Sequence, residues 1–478
     1  MEKQKPNVLL ITADQLRGDC VGFSGNYPVI TPHLDRLSEQ GVSFSQAYSV
    51  LPVCAPARQS LLCGKRPETF GGLWNYSGAL PVAALSPDAY TWSGALAKSG
   101  YTTAYLGKWS VNPSYGPETY GYEDYVSEAD YHHYVSQKYP DVRYDNGFFG
   151  EDSPLPLLDA KTHWFADRAG EALERLKGDG RPWHLALHFS EPHLPCRPSV
   201  PFAGMYSSSD IPEWAGFRDT FAGKPYIQRQ QLQSWGVADY EWSDWAPIVA
   251  RYYAVISQLD DAVGRVLENL ERLDMADETI VIFTADHGDM CGSHGMMDKH
   301  YIMYDDVVRV PLIIRMQGYG EREAGRRCDR FVYNFMDLAP TLLELLDLQT
   351  YDPGDLQGRS LVPLLNGVEP SDWRDAVVST YNGQQFGLYT QRMIRTEDWK
   401  YIWNLTDIDE LYDMTGDPGE LVNVSGKVEH EELLVMLRRR LYEQLSVDGD
   451  AIVANEWTRR QLLEGAKIGV IEADRNIP

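Results

Sequence analysis

Cysteine is scarce and unpatterned in this chain of 478 residues: six in all (Cys20, Cys54, Cys63, Cys196, Cys291 and Cys328), with no CxxC pair. That spacing excludes a disulfide-built scaffold and suits reduced thiols, which points to a cytoplasmic protein. Long hydrophobic runs are missing as well. None approaches the roughly 18 apolar residues of a membrane-spanning helix. The opening MEKQKPNVLLITADQ has neither the apolar core nor the small-residue cleavage site of a secretory signal. Basic residues are outnumbered, 43 Lys and Arg against 69 Asp and Glu, for a formal charge of −26. So acidic a chain is a poor partner for nucleic acid, an anionic membrane surface or a long polyanion, and an anionic substrate would need a locally positive pocket. Repeats and low-complexity tracts are absent too.

What is present is a globular composition, 43% hydrophobic, long enough for one large core with a smaller appended unit. Short apolar runs bounded by turn residues alternate with helical stretches, the signature of an α/β fold with a large, mixed, mostly parallel sheet sandwiched by helices. Strands are expected at 7–13, 102–107, 184–189, 279–285 and 310–315. Over 251–273, Tyr252, Ile256, Leu259, Val263, Val266 and Leu270 recur at three- and four-residue steps, an amphipathic helix against that sheet. Stretches 110–160 and 196–247 show no clean period, are rich in Pro, Gly, Tyr and Trp, and read as long functional loops. His132 and His133 fall in the first of them. Beyond residue 370, GLYTQRMIRT, a turn at Glu397-Asp398 and WKYIWNL read as a β-hairpin, followed by the helix EHEELLVMLRRRLYEQL. The expected division is a main domain over 1–370 and a C-terminal α+β subdomain over 371–478. The subdomain would hold an antiparallel sheet, a helix and, from Ser446 on, a tail without a core role.

Two phrases carry the chemistry. ITADQ (11–15) ends the first strand and FTADHG (283–288) ends the strand near residue 280. Sites in open α/β sheets form beyond the carboxyl ends of strands, so if these two are neighbours, Asp14, Gln15, Asp286 and His287 converge. Two carboxylates, an amide oxygen and an imidazole suit a hard divalent cation, Ca²⁺ first, Mn²⁺ or Mg²⁺ next. Either Asp alone reads as a cap of the following turn; the pair together favours a metal. The second phrase is CAPARQSLLCG (54–64). Pro56 suits a first helical turn and Gly64 a C′ position, which puts Cys54 at or just before a helix N-terminus, where unpaired amides favour anionic oxygens. Arg58, one turn on along the same face, can hydrogen-bond whatever Cys54 becomes. A buried structural thiol is the alternative for a lone cysteine.

CxPxR followed by a short helix and Gly resembles the type I sulfatase signature, in which a formylglycine-generating enzyme oxidises the cysteine to formylglycine. The flanks TPHLDRLSEQGVSFSQAY and KRPETFGG resemble that family too. So do GYTTAYLGKW, PHLP, TADHGDMCGSHG, DKHYIMYDDVVRVPLIIR and ELYDMTGDPGELVN, which together run through almost all of the chain. The resemblance implies an alkaline phosphatase-like fold and, over 1–370, a catalytic domain that hydrolyses a sulfate monoester of a small organic molecule or saccharide. It implies roles as well. Cys54, as hydrated formylglycine, would supply the attacking hydroxyl and join Asp14, Gln15, Asp286 and His287 on the metal. Arg58 would stabilise the gem-diol, and Lys108, His193 and Lys299 would surround the transferred group and the leaving oxygen. Such types match the chemistry. A sulfate monoester is a weak electrophile wrapped in anionic oxygens, so catalysis needs a metal and cations around those oxygens and a proton donor at the bridging one. Taken singly, the three outer residues read as surface or turn positions.

Two positions depart from the family pattern. Gln15 stands where many members carry a second Asp, and Gly107-Lys108-Trp109-Ser110 stands where GKWH is usual, which removes the customary base for the elimination step. Gln15 is shared with the related choline sulfatases and phosphonate monoester hydrolases, so a phosphonate monoester or phosphodiester hydrolase is the second reading. A catalytically silent binding protein is the third, and the persistence of every metal and cation position argues against it. His294 and His300 receive no role, and homo-oligomerisation stays open.

Overall fold

The computed structural model describes residues 5–78, 80–316, 325–383, 385 and 387–465. The strand Asn7–Asp14, NVLLITAD, is buried along its whole length, because parallel strands covered on both faces take continuous rather than alternating apolar residues. It pairs in parallel with Thr279–Ala285 on one side and Trp183–Pro192 on the other. Among the described residues the sheet has eight strands. Their order is Arg326–Cys328, Val42–Phe44, Leu312–Arg315, Thr279–Ala285, Asn7–Asp14, Trp183–Pro192, Thr102–Gly107 and Asp124–Ser127. Leu312–Arg315 runs antiparallel to both its neighbours, so the sheet is mixed and mostly parallel, as the sequence predicts. The helix Trp242–Arg272 buries Tyr252, Ile256, Leu259, Val263, Val266 and Leu270 and packs beside Lys161–Asp179. Among the described residues, no helix is long and apolar enough to cross a membrane.

A second, antiparallel sheet joins Ala376–Gly383, Tyr389–Thr396, Trp399–Asn404 and Glu410–Asp413, and the expected hairpin is its middle pair. The helix Glu431–Val447 packs Leu434, Leu437, Leu441 and Leu445 against Val378, Ile394, Tyr401 and Trp403.

Four expectations change. The run 310–315 is not one strand, because Pro311 lacks an N–H to give a ladder. It divides into Arg309–Val310, paired with Ala47–Tyr48 in a small three-stranded sheet, and Leu312–Arg315. The stretch 110–160 is not loop throughout: Ser127 and Asp130 form a reciprocal capping box that starts the helix Glu128–Lys138, and His132 and His133 are helical. The stretch 196–247 holds the helix Tyr226–Trp235, and the long amphipathic helix begins at Trp242 rather than 251 because Glu241 and Asp244 form a second capping box. The segment after Ser446 does have a core role. Val453 and Leu462 enter the cluster under the second sheet, Asp450 pairs with Arg392, and Trp403 Nε1 donates to Gln461 Oε1 at 3.1 Å. Residues 466–478 lie outside the described residues.

Candidate active site

The register pairs Ala13 with Ala285, so Asp14 and Asp286, about 270 residues apart in the chain, leave the sheet side by side at its carboxyl edge. Cys54 opens the helix Cys54–Cys63, with Val53 extended before it and Gly64 closing it at φ 66°, a left-handed conformation that glycine takes without strain. Every residue of that helix is buried. One ligand atom from each of Asp14, Cys54, Asp286 and His287 lies within 4.8 Å of the others. Cys54 Sγ is 3.6 Å from Asp14 Oδ1 and 3.3 Å from His287 Nε2, which is itself 3.6 Å from Asp286 Oδ1. These four buried groups could hold a divalent metal, since two carboxylates, a sulfur and an imidazole converge.

Cations compensate the carboxylates. Arg58 donates from Nε to Asp286 Oδ2 at 3.1 Å, from Nη2 to Asp14 Oδ2 at 3.0 Å and from Nη1 to the Lys108 carbonyl at 3.1 Å. Its donors therefore fix both acids, a job beyond the one the sequence suggests for it. Lys108 Nζ lies 2.5 Å from Asp14 Oδ2 and 3.6 Å from Cys54 Sγ. Burial opposes the charge of Asp14, yet Lys108, His193, Arg58 and His287 hold its carboxyl well below the usual range. Asp286 is raised, by burial and by the charge of Asp14. Burial and Asp14 push the Cys54 thiol up, but Lys108, Lys299 and His287 outweigh them and keep it well below the ordinary thiol value.

Lys299 and His193 form a second unit beside the first. Lys299 Nζ donates to His193 Nε2 at 2.8 Å and to Gln15 Oε1 at 3.0 Å. His193 Nδ1 lies 2.7 Å from the Leu194 carbonyl, so Nδ1 carries the proton and Nε2 is the acceptor. Gln15, at φ 67°, gives its backbone N–H to Asp286 Oδ1 at 3.1 Å. Its Nε2 donates to Asp289 Oδ2 at 2.7 Å and to Asp298 Oδ1 at 2.9 Å. The amide oxygen expected on an ion thus accepts from Lys299, and Gln15 joins the end of the strand Asn7–Asp14 to the Lys299 unit. Ser110 follows Lys108 at φ 49°.

Some residues of the site escape sequence reasoning. Asn75 Oδ1 accepts the Ala55 N–H at 2.9 Å, in the helical turn that presents Cys54, and nothing around Asn75 marks it. His188 lies 3.3 Å from Arg58 Nη1, bonds Thr12 Oγ1 and stacks on Tyr105 with centroids 4.6 Å apart; its place near the end of the strand Trp183–Pro192, beside the first metal strand, was the available signal. Asp289 and Asp298 sit in phrases already singled out. His294 bonds Asp219 at 2.7 Å, whereas His300 bonds Tyr381 at 3.1 Å and lines a cavity with Lys299. Two cavities meet at His193 and Leu194: one of about 420 Å³ walled by Trp74, Asn75, Lys299 and Tyr381, and one of about 620 Å³ that includes Lys108 and His132.

A family model described as Sulfatase matches residues 6–348, a span that contains Asp14, Gln15, Cys54, Arg58, Lys108, His193, Asp286, His287 and Lys299. The chain belongs to the sulfatase family. A model for the N-sulphoglucosamine sulphohydrolase C-terminal region also matches this sulfatase, over residues 292–447. The ulvan-active sulfatase of Formosa agariphila is 29% identical over 474 residues, covering 95% of this chain and 84% of the relative. The choline-sulfatase of Rhizobium meliloti is 29% identical over 455 residues, covering 89% and 83%. Among solved structures, the phosphonate monoester hydrolase of Agrobacterium radiobacter matches with a TM-score of 0.79 at 26% identity, over 93% of this chain and 96% of that one. The fold is that of the alkaline phosphatase superfamily, and the chain is a sulfuric ester hydrolase.

Proposed function

We propose that this sulfatase hydrolyses a sulfate monoester of a small organic molecule or saccharide, with Cys54 oxidised to formylglycine and a divalent ion held by Asp14, Cys54, Asp286 and His287. The observation that carries the reading is the convergence of those four groups within 4.8 Å, ringed by Lys108, His193 and Lys299. An oxygen-rich set favours Ca²⁺, with Mn²⁺ or Mg²⁺ tolerated by the imidazole. Bound there, the ion supplies Lewis acidity to the sulfate group.

The chain's own residues do the rest. Arg58 holds Asp14 and Asp286 in place. Cys54, as hydrated aldehyde, attacks sulfur through one hydroxyl, and its second hydroxyl lets sulfate depart as the aldehyde reforms. Lys108 Nζ, beside Cys54, faces the anionic oxygens. Lys299 and His193 deliver a hydrogen bond or proton to the bridging oxygen as its bond to sulfur breaks. The names of the ulvan-active sulfatase and the choline-sulfatase support a saccharide or small-molecule ester. Six free, buried cysteines support a reducing, cytoplasmic setting, checked by cell fractionation.

The test is chemical. Protein made with a formylglycine-generating enzyme should show an aldehyde at Cys54 by peptide mass spectrometry, and kcat/KM should be higher for 4-nitrophenyl sulfate than for a phenyl phosphonate ester. The reverse preference would favour phosphonate monoester hydrolysis, for which the likeness to the Agrobacterium radiobacter enzyme and Ser110 in place of histidine speak. A silent binding protein would turn over neither.

A further inference from the structure

The larger cavity, of about 620 Å³, is lined by Lys108 and His193, by the helix Glu128–Lys138 and by the segment 190–197. Its charges divide into two sets. One set is compensated: Lys108 pairs with Asp14, and Lys161 lies 3.2 Å from Glu128 and 3.6 Å from Glu191. The other is not. Among the described residues neither Arg143 nor Arg197 forms an ion pair. Arg143 Nη1 gives its hydrogen bonds to the carbonyls of Pro140 and Val142, at 2.8 and 2.7 Å. Arg197 lies over Tyr144 with Cζ 3.9 Å from the ring centroid, and its Nε is buried without an acceptor. Glu151, the carboxylate that feels its charge, already accepts the backbone N–H groups of Asp145 and Asn146 at 3.2 and 2.9 Å.

A guanidinium seated on an aromatic face is held in one plane, and its free edge fits a planar or tetrahedral anion with two acceptors. One buried N–H of the half-buried Arg197 guanidinium lacks an acceptor, and an anion in the cavity would reach the edge that Tyr144 leaves open. Uncompensated arginines also run against a chain with a formal charge of −26. A neutral alcohol would leave these donors unused. We infer that this sulfatase acts on esters whose alcohol part carries a second anionic group, a carboxylate or a further sulfate, and that Arg197, aided by Arg143, reads that group. The inference rests on the sulfate-ester reading above and names the substrate class within it. A cavity of about 620 Å³ has room for a monosaccharide bearing such a substituent.

Four esters test it: 4-nitrophenyl sulfate, galactose 6-sulfate, a uronate 2-sulfate and a disulfated glucosamine. Each is assayed with the parent, Arg197→Met and Arg197→Lys. Methionine keeps the length that packs on Tyr144 and removes the charge. The parent should favour the uronate or the disulfated ester over galactose 6-sulfate, and which of the two leads distinguishes carboxylate from sulfate. Arg197→Met should cut kcat/KM on the favoured ester by about 10- to 100-fold, against about twofold on 4-nitrophenyl sulfate, and lysine should restore part of the loss. Preference for galactose 6-sulfate in the parent, or an equal fall on all four esters, overturns the inference while leaving sulfate hydrolysis intact. Calorimetry on Cys54→Ala protein gives a second readout that needs no turnover: Arg197→Met added to it should weaken binding of the favoured ester tenfold or more, and unchanged binding overturns the inference by itself.

Discussion

At the carboxyl edge of the sheet Asp14, Arg58, Asp286 and His287 are each at most 1% exposed, and every charge there has an opposite one in contact. Along the larger cavity Tyr144 and Arg197 are half-buried, Arg143 is exposed, and the two arginines lack ion-pair partners among the described residues. Buried, mutually compensated charges are intolerant of change, because removing one leaves another stranded in low dielectric. That rigidity suits chemistry whose geometry must hold to a fraction of an ångström. Half-exposed walls are cheap to alter, and on the inference above this wall chooses the alcohol.

The largest effect is expected at the nucleophile. Cys54→Ala should lower turnover of 4-nitrophenyl sulfate by at least about 10³-fold with an unchanged circular dichroism spectrum, since the attacking atom is gone; full activity would sink the mechanism. Next, Arg58→Met should lower the unfolding free energy by about 3–5 kcal/mol in urea titrations, because two buried carboxylates lose their shared cation. A loss too small to measure would mean that the carboxyl edge of the sheet does not depend on compensation. His193→Ala or Lys299→Ala should raise the barrier for an alkyl sulfate by about 3–4 kcal/mol and for 4-nitrophenyl sulfate by much less, the better leaving group needing little help. Equal losses on both would contradict their placement at the bridging oxygen. Stripping the ion with chelator should cost about 2.7 kcal/mol of stability relative to a hundredfold excess over Kd, read as a fall in Tm that Ca²⁺ reverses. Elemental analysis without a stoichiometric divalent metal, together with no such fall, would remove the metal from the site. Smallest of all, Arg143→Ala in the wall should stay within about 0.5 kcal/mol of the parent in stability.

Much of this was legible in the sequence where one physical rule acted alone. Parallel strands buried on both faces write themselves as unbroken apolar runs, and Asp14 and Asp286 stood out because one phrase closes two such strands. The misses have causes too. Pro311 splits a run of uniform apolarity, which hydropathy does not register. Helix starts at Ser127 and Glu241 carry Asp rather than Glu or Gln at the third position, and aromatic side chains blur the period that follows. Val453 and Leu462 lie in short, separated helices whose burial only the second sheet reveals. Asn75 and the partners of Gln15 depend on loops and strands brought together in space, so no local pattern announces them.

Cys54 is 3% exposed, and the whole helix that it opens is interior. On the proposed modification, an oxidising enzyme would have to reach a side chain that the finished fold encloses. Oxidation, as proposed, therefore belongs to the growing chain. The strand Thr279–Ala285, which brings Asp286 and His287 against Cys54, follows it by about 225 residues, and at about 5–20 residues per second that stretch takes roughly 10 to 45 s to synthesise. On the proposed modification, the order of elements along the polypeptide would act as a timer: copies that close before being oxidised would lack the aldehyde nucleophile.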